Sequence, residues 1–141
     1  MTEVWFYVTD DAAANARAVL LRRLLERALR SPRRLYVHTR DAAAAERLDE
    51  WLWQPEASFL PHALASTGNA GDQQVVIGHG DRPPHQDMLV NLADEIPAFA
   101  GQFQRVVELV GGSEQDRVLS RARWTYYRDN GFKVTRHELG T

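Results

Sequence analysis

Val4-Trp5-Phe6-Tyr7-Val8, a helix-patterned segment between Asp10 and Ser31, then Leu35-Tyr36-Val37-His38-Thr39: this succession decides the fold. The two outer stretches are continuous apolar, β-branched and aromatic runs, which read as buried strands. Between them Ala16, Leu20, Leu24 and Ala28 recur every fourth residue, with Arg17, Arg22, Glu26 and Arg30 on other faces. That is the pattern of an amphipathic helix of about five turns. Asp10 and Asp11 suit its N-terminus, where free backbone N–H groups favour a carboxylate, and Ser31-Pro32 breaks it. Strand, helix, strand in this order predicts a parallel pair joined by a right-handed crossover.

Working outward, Asp41 can cap a second helix whose apolar face is Ala44, Ala45, Leu48, Trp51 and Leu52. Residues 54–73 are irregular and rich in Pro, Gly and Ala, with Phe59 and Leu60 among them. Strands are predicted over 74–78, 88–92, 105–110 and 132–138, with a short helix over 96–103. Ser113-Glu114-Gln115-Asp116 opens a last long helix as a capping box with Asp in place of Glu. Asn130-Gly131 closes it, with Gly131 as the left-handed cap. There is no internal repeat and no linker long enough to divide the chain, so residues 1–141 are expected to form one α/β domain.

Composition narrows the function classes. With 17 Lys+Arg against 19 Asp+Glu the net charge is -2, which argues against a nucleic-acid tail or an acidic activation segment. The absence of cysteine removes disulfides, thiolate metal sites and a Cys nucleophile, and fits a reducing, cytoplasmic setting. No apolar stretch approaches a membrane span, and the N-terminus runs straight into a strand without a signal-type core. All basic residues but Lys133 are arginine. Codon bias in a GC-rich genome accounts for that, as would selection for arginine's forked donors at a recognition site.

An α/β pattern invites a nucleotide-binding reading, and the sequence gives it little support. No G-x-x-x-x-G-K-[ST] occurs, and the turn Thr9-Asp10-Asp11-Ala12 lacks the glycine that would let a phosphate approach. Gly68-Asn69-Ala70-Gly71-Asp72 reads as a plain loop. No G-x-S-x-G is present. His79 and His85 bracket Asp81 without helical spacing, so they read as solvated loop histidines rather than metal ligands. No catalytic residue, metal or cofactor is assigned.

The last helix carries the chemistry. At 100° per residue, Arg117, Arg121, Trp124 and Arg128 form one stripe, while Val118, Leu119, Ala122 and Tyr126 lie on another side and are expected to face the core. Two readings stand for the stripe. Trp124 packs on a neighbouring element among solvated arginines, or the stripe is a pocket for an anionic group with an apolar end. In the second, Arg121 grips a carboxylate, Trp124 supplies a wall, and Arg117 and Arg128 attract further negative charge. A second cluster is Trp51, Leu52, Trp53, Phe59, Leu60 and Pro61. Trp53 falls about 200° from Trp51 on the helix and reads either as a docking patch with Phe59 or as a residue covered by the following loop.

Three blocks together resemble the chi subunit of bacterial DNA polymerase III holoenzyme: Arg47-Leu48-Asp49-Glu50-Trp51-Leu52-Trp53, Ser58-Phe59-Leu60-Pro61-His62, and the run from Arg121 through Tyr126-Tyr127-Arg128-Asp129-Asn130-Gly131-Phe132. The resemblance runs essentially end to end. It implies one α/β domain with a mixed, mostly parallel sheet like that of nucleotide-binding folds, and no catalytic activity. It implies a clamp-loader adaptor in DNA replication, bound to the small psi subunit and to the acidic C-terminal tail of single-stranded DNA-binding protein, which ends in proline and phenylalanine. No direct sequence-specific nucleic-acid contact and no membrane are implied. By position, the tail would meet Val110, Arg117, Arg121, Trp124 and Thr125, and psi would meet Trp53, Phe59 and Pro61. The family commonly has tyrosine at Trp124 and lysine at Thr125, so here a phenol and a cation are absent, and the loop from Trp53 to Phe59 is one residue shorter. A nucleotide-binding enzyme or sensor on the same sheet is the alternative, and direct binding of single-stranded DNA is a third reading.

Overall fold

A computed structural model describes residues 2–54, 62–65, 73–80 and 83–138. Seven strands form one sheet: β1 (Glu3–Val8), β2 (Leu35–His38), β3 (Ala63–Leu64), β4 (Val75–Gly78), β5 (Met88–Asn91), β6 (Arg105–Val110) and β7 (Lys133–His137). Their order is β3-β4-β2-β5-β6-β1-β7, and every pairing among the described strands is parallel. The sheet expected to be mixed is thus parallel throughout, as a β-α-β order with helical crossovers dictates.

The helices α1 (Ala16–Ala28) and α2 (Ala42–Leu52) cover one face, and α3 (Glu114–Asp129) covers the other. Side chains alternate between faces along a strand, so each strand feeds two cores. Tyr7, Val37, Val107 and Leu109 pack with Leu20, Leu21, Leu24 and Leu25 of α1 and with Leu48 and Leu52 of α2. Val4, Phe6, Tyr36, Val106 and Val110 pack with Tyr127 of α3 and with Phe99 and Phe103.

Local signals act where chain geometry leaves them free. The Asp41 side chain accepts from the Ala44 N–H at 2.8 Å, and Ser113 Oγ accepts from the Asp116 N–H at 3.1 Å. Gly131 takes φ 85° beyond the end of α3, a conformation that costs glycine little. Asp10 and Asp11, in contrast, do not cap α1. The helix begins five residues beyond Asp11, at Ala16, after an Asn15 that makes no side-chain cap. Asp11 instead ties two loops together, its carbonyl accepting from the Gly112 N–H at 2.7 Å. A Cβ on Gly112 would run into the Asp10 carbonyl, so only glycine permits this approach.

Two further expectations are corrected. The segment 96–103 forms a single 3-10 turn, Ala100–Gln102, rather than a helix. Its helix-spaced Phe99 and Phe103 are buried as anchors, but one turn is all that fits before β6 begins. Within 54–73, Ala63–Leu64 is a two-residue strand on the edge of β4, too short to leave a periodic signal.

The face of α3 is the main correction. Val118 is 51% and Tyr126 52% exposed, and Ala122 is exposed too, with Leu119 half-buried. The buried residues are Ser120, Arg123 and Tyr127. The cause lies in β6, where Glu108 points to the α3 side between Val106 and Val110 and is fully buried. A buried carboxylate needs donors. Arg123 Nε donates to Glu108 Oε1 at 3.0 Å. The Tyr127 hydroxyl and Asn91 Nδ2 donate to Oε2 at 2.6 and 3.0 Å. This polar cluster outranks the aliphatic stripe.

Candidate functional site

Turning Arg123 and Tyr127 inward swings the next residue positions on α3 toward the groove beside the helix. Arg117, Arg121, Trp124 and Thr125 line a pocket of about 640 Å³ with Ser120. Its floor is the sheet: Phe6 and Val8 from β1 and Val110 from β6. Asp10, beyond the C-terminal end of β1, and Arg136 of the edge strand β7 complete it. Five of the six residues assigned to the anion-binding stripe and its floor meet here, namely Val110, Arg117, Arg121, Trp124 and Thr125. Arg128 is not among the lining residues; its Nε lies 3.3 Å from Asp129 Oδ1 on the exposed end of α3.

Trp124 combines features of the two readings. It is half-buried, and its ring centroid lies 5.0 Å from that of Phe6 at 53°. It therefore joins the core on one side and walls the pocket on the other. The cations differ in what holds them. Arg117 Nη2 is 3.8 Å from Asp10 Oδ1, both exposed. Arg136 Nη2 reaches Glu138 Oε1 at 3.4 Å, again on the surface. Arg121 is exposed and makes no ion pair among the described residues. Exposed pairs of this kind contribute about 0–1 kcal/mol, so an anion can replace Asp10 or Glu138 at little cost. Apolar floor, aromatic wall and arginine rim suit a ligand with an apolar ring beside a carboxylate.

Beneath the pocket, burial pushes the Glu108 carboxyl up from its ordinary value, against the pull of Arg123, Tyr127 and Asn91. The Tyr127 hydroxyl is pushed up as well, by burial and by Glu108. It stays protonated and donates. This cluster is closed off from the ligand space and acts on α3, not on a ligand.

Trp53 follows the end of α2. It is 47% exposed, stacks on the buried His62 ring at 4.1 Å, and donates its indole N–H to Asp49 Oδ1 at 3.2 Å. Trp51 is turned away, with the Arg22 guanidinium 3.7 Å above its ring. Phe59 and Pro61, assigned to the same patch, lie outside the described residues.

The sequence missed Phe6, Val8, Asp10, Ser120 and Arg136 as lining residues. Phe6 and Val8 looked like any residues of a buried strand. Arg136 came in a short strand whose neighbour cannot be read from spacing. The register Phe6 opposite Arg136 puts both on the α3 side of the sheet. Among the described residues no group of three His, Asp or Glu side chains could hold a metal ion, and no helix of the described residues is long and apolar enough to cross a membrane.

Comparison with known proteins adds the family. The family described as DNA polymerase III chi subunit, HolC, matches residues 1–135. The chain belongs to the DNA polymerase III chi subunit family. A DNA polymerase III subunit chi from Pseudomonas aeruginosa is 37% identical over 141 residues, covering 99% of this chain and 98% of that one. The Escherichia coli subunit chi is 32% identical over 95% of this chain and 96% of its own. That of Haemophilus influenzae is 25% identical over 99% of this chain and 94% of its own. An accessory role in replication follows for this chi-family chain.

Proposed function

We propose that this chain is a non-catalytic adaptor of the clamp-loader complex. It holds a psi subunit through the patch around Trp53, with Phe59 and Pro61, and the acidic C-terminal tail of single-stranded DNA-binding protein in the α3 pocket. The polymerase assembly is thereby tethered to coated single-stranded template, in the cytoplasm and at the nucleoid. One observation carries the reading: Arg117 and Arg121 rim a pocket whose floor and wall are Val110, Phe6 and Trp124. A tail ending in Pro-Phe offers an aromatic ring for that floor and a carboxylate and acidic side chains for that rim. Thr125 lines the pocket without a charge, and Arg128 lies outside it as a more distant source of attraction.

Calorimetric titration with an acidic peptide ending in Pro-Phe tests this. The wild-type chain should bind it, and should bind neither nucleotides nor naked oligonucleotides with comparable affinity. Arg121→Ala should cost about 2 kcal/mol or more, as a desolvated charge-assisted contact does. Arg117→Ala should cost less and mainly change the salt dependence, because Asp10 already competes for it. Wild-type affinity in Arg121→Ala would show that the tail sits elsewhere.

A further inference from the structure

The pocket has two walls, and only one of them belongs to α3. Arg136 stands on the other, on the edge strand of the sheet. Because Arg136 pairs in register with Phe6, its stem rises beside the apolar floor, on the α3 side. Among the described residues its one ionic neighbour is Glu138, just beyond the end of β7 and itself exposed. Across the groove, Thr125 brings no charge. Cations therefore line the groove from opposite sides: Arg117 and Arg121 from the helix, Arg136 from the strand.

We infer that Arg136 is a third anchoring cation of this pocket, which binds a side-chain carboxylate of the acidic peptide upstream of its terminal aromatic residue. This rests on the reading of the pocket as the tail site. The division of labour follows from placement. Arg121 is on the wall that carries Trp124, so it meets the carboxylate next to the ring that Trp124 holds. Arg136 is at the open edge of the sheet, where the peptide leaves the apolar floor for solvent. There an acidic side chain exchanges for Glu138, one exposed ion pair for another, and the guanidinium presents two parallel donors to it.

The test is a calorimetric matrix. An acidic peptide ending in Pro-Phe, and versions in which each upstream acid is replaced singly by its amide, are titrated into wild type, Arg121→Ala, Arg136→Ala, Arg136→Gln and Arg30→Ala. Arg30 lies at the end of α1, on the other face of the sheet, and controls for net charge. At low salt Arg136→Ala and Arg136→Gln should both weaken the acidic peptide about threefold to tenfold. The gap should close near 1 M salt, where the screening length is about 3 Å. For one amide peptide the Arg136 variants should match wild type, while Arg121→Ala remains weakened. If Arg121→Ala is impaired and both Arg136 variants bind as wild type does, the inference fails and the tail site stands. An equal loss in Arg30→Ala, or a loss in the Arg136 variants that no amide peptide abolishes, also overturns it. If wild type binds no peptide, the tail-site reading fails and the inference with it.

Discussion

Arg123 Nε lies 3.0 Å from Glu108 Oε1 inside the protein, and this contact fixes which side of α3 faces solvent. The guanidinium also donates through Nη1 to the Asp94 carbonyl at 3.2 Å, tying the loop after β5 to the same helix. The pocket beside α3 depends on this rotation, because Trp124 lies next to Tyr127 on the helix surface and Arg121 lies next to Trp124.

Removing one partner leaves the other charged and buried. Arg123→Ala should therefore destabilise the fold by about 3–5 kcal/mol, read as a shifted midpoint in urea unfolding. A Glu108→Leu, Arg123→Leu double variant should recover part of that loss and not all, since the Tyr127 hydroxyl and Asn91 amide would still lack their acceptor. A cost below about 1 kcal/mol in Arg123→Ala would mean that the cluster does not hold the helix.

Trp124 should affect stability and binding separately. Its ring packs with Phe6 and the residue is half-buried, so Trp124→Ala should cost about 1–3 kcal/mol of stability. Its effect on the Pro-Phe peptide should be larger than that of a neutral contact, from several-fold to about a hundredfold. Trp124→Tyr, which supplies the phenol that the resemblance implies at this wall, should keep the fold and bind at least as well as wild type. A destabilised Trp124→Ala that binds the peptide normally would make Trp124 a core residue only.

Trp53 should serve the other partner. Its exposed ring is held in place by His62 and Asp49, so an anchor is presented at little cost in side-chain entropy. Trp53→Ala should abolish co-purification with a psi-like partner and leave tail-peptide affinity unchanged. Arg121→Ala should do the reverse. Competition between psi and the tail peptide for one molecule of this chain would rule out bridging.

One pH effect has a definite sign. Burial, with His79 adding to it, lowers the His38 ring from its ordinary value of 6.5, and its Nδ1 is buried with no hydrogen-bond partner among the described residues. The unfolded chain therefore takes up the proton first. The stability carried by neutral His38 is complete above about pH 6.5 and is lost as pH falls through the folded value, with a slope of at most about 1.4 kcal/mol per pH unit. Glu108 has the opposite sign, since its raised value makes the folded state hold a proton to higher pH. Comparing wild type with His38→Phe cancels Glu108, which both share. Urea midpoints between about pH 5 and 7.5 should fall more steeply in wild type as pH is lowered; identical slopes would show that His38 takes up its proton equally in the folded and unfolded states.

How much could be read in advance depended on how local the cause was. The strand runs at Val4–Val8, Leu35–His38 and Arg105–Val110, the caps at Asp41 and Ser113, and the Gly131 turn are set by neighbours a few residues away. Sequence alone determined them, and with them the α/β class. The α3 stripe was visible for the same reason, since positions on one helix have a known angular spacing. The contribution of β7 was not visible, because strand order depends on which edges meet after folding. Arg136 lies beside Phe6 only once β7 has docked on β1. The core face of α3 was likewise decided at long range. Hydropathy favoured Val118, Leu119, Ala122 and Tyr126, and it would have prevailed over an apolar β6. Glu108, fifteen residues before Arg123, reversed the choice, because an unpaired buried carboxylate costs more than two exposed apolar side chains.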